Sequence, residues 1–133
     1  MNIILCVDKN NGMLFGGKRL SQDCILREKI LEIAGESRLL VNSYTAKQFE
    51  NQEKLIVSDN FLNEAGSGDF CFVENENIDI EKAEKVYIFN WNRVYPADTF
   101  FETDLKASGF KKIGKDELQG NSHKKITLEI FSR

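Results

Sequence analysis

No apolar run in this chain approaches the roughly 20 residues that a bilayer-crossing helix needs, so no membrane association is expected. Met1-Asn2-Ile3 offers no basic segment and no small-residue cleavage site follows, so no secretory leader is expected either. Cysteine is scarce. Cys6, Cys24 and Cys71 are odd in number, far apart and form no C-x-x-C pair. They read as reduced thiols of a cytoplasmic protein, buried as small apolar groups rather than used as nucleophiles. His123 is the only histidine, so no metal site is expected, and in Asn121-Ser122-His123 it reads as support for a hairpin turn. Positive charge is not in excess: 18 Lys and Arg face 21 Asp and Glu, for a net charge of -3. That excludes the basic face of a general nucleic-acid binder. There is no internal repeat and no low-complexity linker.

What is present describes a folded chain. Hydrophobic residues make up 41% and charged residues 29%, a soluble, globular balance in a single domain spanning residues 1–133. The first 23 residues carry most of the information. Asn2-Ile3-Ile4-Leu5-Cys6-Val7 has the length and β-branched content of a buried strand. Asp8-Lys9-Asn10-Asn11-Gly12 is turn chemistry, with residues that accept positive φ. A glycine-spotted loop, Met13 to Arg19, leads to Leu20-Ser21-Gln22-Asp23. Ser21 is the expected helix cap, with Asp23 in the first turn, where the macrodipole alone favours a carboxylate.

Gly12, Gly17 and Lys18 also carry the G-x-x-x-x-G-K spacing of a phosphate-binding loop. Arg19 stands where that pattern needs Ser or Thr for magnesium. This third reading makes the chain an α/β nucleotide-binding domain.

Further on, Leu26, Ile30 and Ile33 recur at helical spacing, with Leu31 beside them and Gly35 as a stop. Arg38-Leu39-Leu40-Val41 reads as a strand and Tyr44 to Phe49 as a short helix. Lys54-Leu55-Ile56-Val57, Asp69 to Val73 and Lys85 to Trp91 read as further strands. The alternation implies an α/β fold with parallel pairings. At the C-terminal end, Gly109 to Ile113 and an alternating Ile126, Leu128 and Ile130 predict a closing hairpin.

Nearly the whole chain resembles dihydrofolate reductase. Val7-Asp8-Lys9-Asn10-Asn11-Gly12, Leu20-Ser21-Gln22-Asp23, Leu39-Leu40-Val41-Asn42-Ser43-Tyr44-Thr45 and Lys54-Leu55-Ile56-Val57-Ser58 follow that family's order. The block from Lys85 to Phe101, ending Ala97-Asp98-Thr99-Phe100-Phe101, is the most specific match. The resemblance implies a three-layer α/β fold. Its central sheet would be mixed and mostly parallel, with flanking helices and a C-terminal antiparallel hairpin. It places Asp23 on the acid that holds the pterin and supports its protonation. Val7 and Arg27 fall on the substrate side, and Ser43, Thr45 and Ser58 on the NADPH side.

The chain departs from the family in several places. No Gly-Gly lies between Val73 and Lys85, where a glycine turn and helix normally receive the cofactor pyrophosphate. The cofactor half therefore reads as truncated. A second register, with Asn90-Trp91-Asn92 at the glycine turn, would put an indole where backbone must approach closely. Ser43 replaces an arginine that grips phosphate, and serine has no charged fork to offer. Arg27 stands where an aromatic ring usually meets the pterin, and Lys18 where a tryptophan is common. No arginine near Gln52 and Glu53 answers the folate glutamate tail.

The expectation is a degenerate dihydrofolate-reductase-like protein, a pseudoenzyme without cofactor, serving as a scaffold for a small-molecule ligand or a partner. The alternative is an active NADPH-dependent reductase of dihydrofolate or a related pterin. Self-association into a homo-oligomer would cover any sheet edge or apolar cleft left by the missing unit.

Overall fold

The computed structural model describes residues 1–49 and 55–133. Lys54 and the positions around Gln52 and Glu53 lie outside the described residues.

The centre of the molecule is β1 (Asn2–Val7), whose Ile3, Ile4 and Leu5 are wholly buried. A strand buried on both faces needs no polar alternation, which explains its continuous apolar run. It is flanked by β6 (Phe70–Phe72) and β7 (Lys85–Asn90), both parallel to it. β4 (Leu39–Val41) and β5 (Leu55–Val57) extend the parallel side. β10 (Ile126–Ser132) and β9 (Lys111–Leu118) add the antiparallel hairpin beyond β7. The seven strands run in the order β5-β4-β6-β1-β7-β10-β9, the mixed and mostly parallel sheet expected.

Strand alternation sorts the core into two layers. Ile4, Leu39, Val41, Phe70, Phe72, Phe89, Ile126 and Leu128 face α1 (Cys24–Ala34). Ile3, Leu5, Leu40, Cys71, Val73 and Val86 face the other side, where Phe61, Ile80, Leu105 and Phe110 cover them. Each fully buried side chain of this kind contributes roughly 1.5–3 kcal/mol. The buried stripe of α1 is Leu26, Ile30 and Ala34, while Leu31 and Ile33 are its half-buried flanks. Gly35 ends the helix with φ 55°, its N–H donating to the Leu31 carbonyl at 3.0 Å.

Several local expectations are corrected. The cap of α1 is Asp23, not Ser21: its carboxylate accepts from the Ile25 N–H at 2.9 Å, and its backbone is extended. The expected helix from Tyr44 to Phe49 is the shorter α2 (Ser43–Ala46), capped by Asn42. A four-residue helix, α3 (Phe61–Glu64), follows β5.

The glycine-spotted loop is a β-hairpin. β2 (Gly12–Phe15) pairs with β3 (Lys18–Arg19) through Gly16 and Gly17, with φ of 59° and 75°. Two successive positive φ values make the tight turn that suits strand twist, and glycine adopts them without strain. Gly12 lies inside a strand and Lys18 across the turn, so no loop forms to cradle phosphate at a helix start. The phosphate-loop geometry is thereby replaced. On its other side β2 pairs with β8 (Thr99–Phe100), so the Lys85–Phe101 block holds two strands, β7 and β8.

The crossover from β6 to β7 contains a single 3-10 turn, Ile80–Lys82, and no α-helix. Among the described residues, no helix is long and apolar enough to cross a membrane.

Candidate functional site

Asp8 builds the first part of the site. Its carboxylate is 1% exposed and accepts from the N–H groups of Asn10 and Gly12 at 2.8 and 2.7 Å. Its second oxygen accepts from the Tyr95 N–H at 3.0 Å. Asn11 takes the positive φ, at 63°. A Cβ on Gly12 would lie 2.8 Å from the Ala97 Cβ and 2.9 Å from Asp8 Oδ1, so glycine is needed here for close approach. The Asp-x-x-x-Gly turn thus ties the end of β1 to the segment carrying Tyr95.

Asp23 is the most heavily bonded side chain in the molecule's described part, and it is fully buried. Beyond the Ile25 N–H it accepts from the N–H groups of Asn121 and Ser122, each at 2.9 Å, and from the Ser122 hydroxyl at 3.2 Å. His123 Nδ1 lies 2.9 Å from Oδ2. All but Ile25 come from the connection between β9 and β10. Burial pushes this carboxyl up, but the hydrogen bonds from Asn121, His123, Ser122 and Ile25 outweigh it. They hold the carboxyl well below the usual carboxylate range.

His123 is itself buried, with its other nitrogen Nε2 3.0 Å from Ser21 Oγ and 3.1 Å from the Tyr95 hydroxyl. The Trp91 ring lies against the imidazole, centroids 4.5 Å apart. A cavity of only about 10 Å³ remains beside them, lined by Cys6, Met13, Leu20, Ser21, Val73 and Trp91, together with Arg19 and Glu74. His123 therefore does more than support a turn: it joins the closing hairpin to the start of α1.

Gly120 permits this docking. A Cβ there would sit 2.5 Å from Asp23 Oδ2 and 3.0 Å from the His123 carbonyl oxygen. Gly120→Ala is expected to cost about 1–3 kcal/mol by overpacking. Chemical denaturation read by Trp91 fluorescence checks it; an unchanged midpoint would mean the loop is not seated on Asp23.

A second cluster stands at the end of β6. Glu74 follows Val73 at the point where the family resemblance expects glycine. Its carboxylate is 8% exposed and takes a two-pronged contact from Arg19, Nε at 2.8 Å and a terminal nitrogen at 3.1 Å. The Thr45 hydroxyl donates to it at 2.9 Å and the Gln48 amide at 2.8 Å. Arg19 also lies over the Tyr44 ring, 4.3 Å from its centroid.

The residues expected to meet cofactor are engaged within the chain. Thr45 is wholly buried on Glu74. The Ser43 hydroxyl and N–H both donate to Asp59, at 3.1 and 3.0 Å. The Ser58 hydroxyl donates to Glu64 at 3.0 Å. On the substrate side, Val7 packs in the core at 2% exposure, and Arg27 is half-buried on α1, one turn beyond Asp23. Of the other five, Arg27 stands beside Asp23, its backbone N–H donating to the Asp23 carbonyl oxygen at 3.1 Å.

Two larger depressions flank the cluster. One, of about 510 Å³, is lined by Asp59, Glu76 and Asp79 with Lys82 as its cation. The other, of about 410 Å³, carries Glu74, Glu76 and Glu102 beside Met13, Ile78 and Phe101. Both are acidic. Among the described residues no group of three or more His, Cys, Asp or Glu is placed to hold a metal ion. The cysteines are free. Burial first, then the Glu74 carboxylate, pushes the Cys6 thiol well up, and burial raises Cys71 to about 12. Both stay protonated and unreactive at neutral pH.

Reading the sequence missed Arg19, Glu74 and Tyr95. A signal for Glu74 was available: a charged residue closing an apolar strand, where the family has glycine, must find a buried cation.

No family model matches the chain, and no curated protein matches it. Among solved structures it is similar to dihydrofolate reductase from Enterococcus faecalis, complexed with NADP(H) and RAB-propyl. The TM-score is 0.67 at 12% identity, covering 99% of this chain and 95% of that one. The likeness shows the fold: this chain has a dihydrofolate-reductase-like α/β fold.

Proposed function

We propose that this is a degenerate dihydrofolate-reductase-like protein. On this reading it does not reduce dihydrofolate in the conventional way, and its fold serves as a scaffold for a ligand or partner. The observation that carries this is the state of its polar groups. Asp23 is closed over by the chain's own 119–125 loop, and Ser43, Thr45 and Ser58 each donate to an internal carboxylate.

The donor set does not fit the phosphates of NADPH. A phosphate needs unengaged N–H groups or cations, and near Thr45 the cation Arg19 is already neutralised by Glu74. The adjoining depressions present Asp59, Glu76 and Asp79, which repel an anion. Glu74 supplies from within the chain the negative charge that a bound ligand would otherwise bring. Fold alone does not carry the activity with it.

The second reading is an NADPH-dependent reductase of dihydrofolate or a related pterin. It is favoured by the retention of Asp23 at the start of α1 and by the structural neighbour, itself solved with NADP(H). In that reading Asp23 would hold the pterin, and the hydride would be the cofactor's chemistry.

Calorimetry with NADPH, followed by a dihydrofolate turnover assay, separates the two. The expected result is no binding heat at about 1 mM cofactor, a level that would reveal even a weak site. Saturable binding with turnover that collapses in Asp23→Asn would establish the reductase and overturn the scaffold reading.

A further inference from the structure

Ser21, His123 and Asp23 stand in the order of a charge-assisted nucleophile. Ser21 Oγ lies 3.0 Å from His123 Nε2, and His123 Nδ1 lies 2.9 Å from Asp23 Oδ2. The two imidazole nitrogens are used by the correct partners. An ionised carboxylate only accepts hydrogen bonds, so the Nδ1 proton points at Asp23, and Nε2 is left facing the Ser21 and Tyr95 hydroxyls. Burial raises the Asp23 carboxyl, but hydrogen bonds from Asn121, His123, Ser122 and Ile25 hold it below the usual carboxylate range. Trp91 covers one face of the ring and fixes its plane. His123 is buried, while Ser21 is only partly buried.

We propose that this cluster is an esterase site in which Ser21 is the nucleophile, His123 the general base and Asp23 the residue that orients it. The reductase reading uses Asp23 alone and gives Ser21 and His123 no role. Ser21 lies before the helix rather than capping it, and its hydroxyl is turned to the imidazole instead.

The step balances without any added oxidant or reductant. Ser21 Oγ attacks the acyl carbon of an ester, and its proton passes to Nε2. The Tyr95 hydroxyl, 3.1 Å from the same nitrogen, loses its acceptor as Nε2 is protonated. It is then free to donate to the oxyanion that forms. Collapse breaks the carbon–alkoxy bond, and Nε2 returns the proton to the departing alcohol. Water repeats the sequence on acyl-Ser21 and releases the carboxylic acid. Asp8 is a positioning residue at one remove, since its carboxylate anchors the Tyr95 backbone.

The enclosed space beside Ser21, about 10 Å³, limits the acyl group. It holds no more than about one water-sized group, so the acyl group must be the smallest available. The substrate class is therefore an acetyl ester of an alcohol that stays on the solvent side.

The test uses the full chain with a serine-directed fluorophosphonate, read by intact mass and peptide mapping, and with p-nitrophenyl acetate and butyrate. One adduct on Ser21 is expected, absent in Ser21→Ala, with acetate preferred at least about tenfold, the effect of pocket methylenes. His123→Gln should slow labelling by about 100-fold or more. Tyr95→Phe should slow acylation by about 100-fold with the fold kept. Asp23→Asn, whose side-chain oxygen still accepts from the loop, should lower kcat for the acetate ester while KM stays. No adduct on the folded wild-type protein would overturn the proposal. So would labelling that persists in Ser21→Ala or proceeds equally fast in His123→Gln.

Discussion

Asp23→Ala is expected to lower the unfolding free energy by about 3–5 kcal/mol, the range for removing one partner of a buried charged network. The substitution strands the N–H groups of Asn121, Ser122 and Ile25, and leaves His123 Nδ1 without its acceptor. Each orphaned buried donor costs roughly 1–3 kcal/mol, so water must enter or the loop must lift. Urea denaturation of the two proteins measures the loss. A change under about 1 kcal/mol, the size of an exposed ion pair, would mean that the carboxylate is solvated.

The same residue sets an acid limit. Its folded-state pKa lies below its unfolded value of about 3.9, so its contribution is fully present above that pH. It is lost as pH falls from there through the folded pKa. Wild type should therefore lose stability progressively below about pH 4, and Asp23→Ala should show a shallower acid slope.

Glu74→Ala should be the next most damaging change, at about 3 kcal/mol. Arg19 loses a two-pronged acceptor, while the buried Thr45 hydroxyl and the Gln48 amide lose theirs. The consequence reaches function. The substitution leaves a guanidinium, a hydroxyl and an amide around a carboxylate-sized space. Formate or acetate should therefore stabilise the variant and not the wild type. With a dissociation constant near 10 mM, 100 mM anion restores about 1.4 kcal/mol. Thermal melts with and without the anion test this. Equal anion effects in both proteins would show that Glu74 does not fill a built anion site.

Local pattern was enough for much of the architecture. The uninterrupted Ile3-Ile4-Leu5 run identified the central strand, because only a strand covered on both faces tolerates such a run. Gly35 marked the end of α1 through its positive φ, and the alternation at Ile126, Leu128 and Ile130 marked the last strand of the hairpin. These signals are local: each depends on residues within a few positions and on which faces must be buried. The limits of that reading were local too. Ser21 and Asp23 are both good caps, and the choice fell to Asp23 because distant groups fixed its carboxylate.

The sites could not be decided that way. Asp23 and His123 are 100 residues apart, and Arg19 and Glu74 are 55 apart. Their meeting depends on the parallel placement of β6 beside β1 and on the hairpin that returns the 119–125 loop to the start of α1. By itself the sequence determined an α/β chain with a buried central strand, an acidic balance and no glycine turn after Val73. Tertiary structure alone decided that Glu74 fills that corner with its own negative charge, and that Asp23 is enclosed rather than open. The physical reason is that burying a charge is costly unless partners converge on it, and convergence is a property of the assembled sheet.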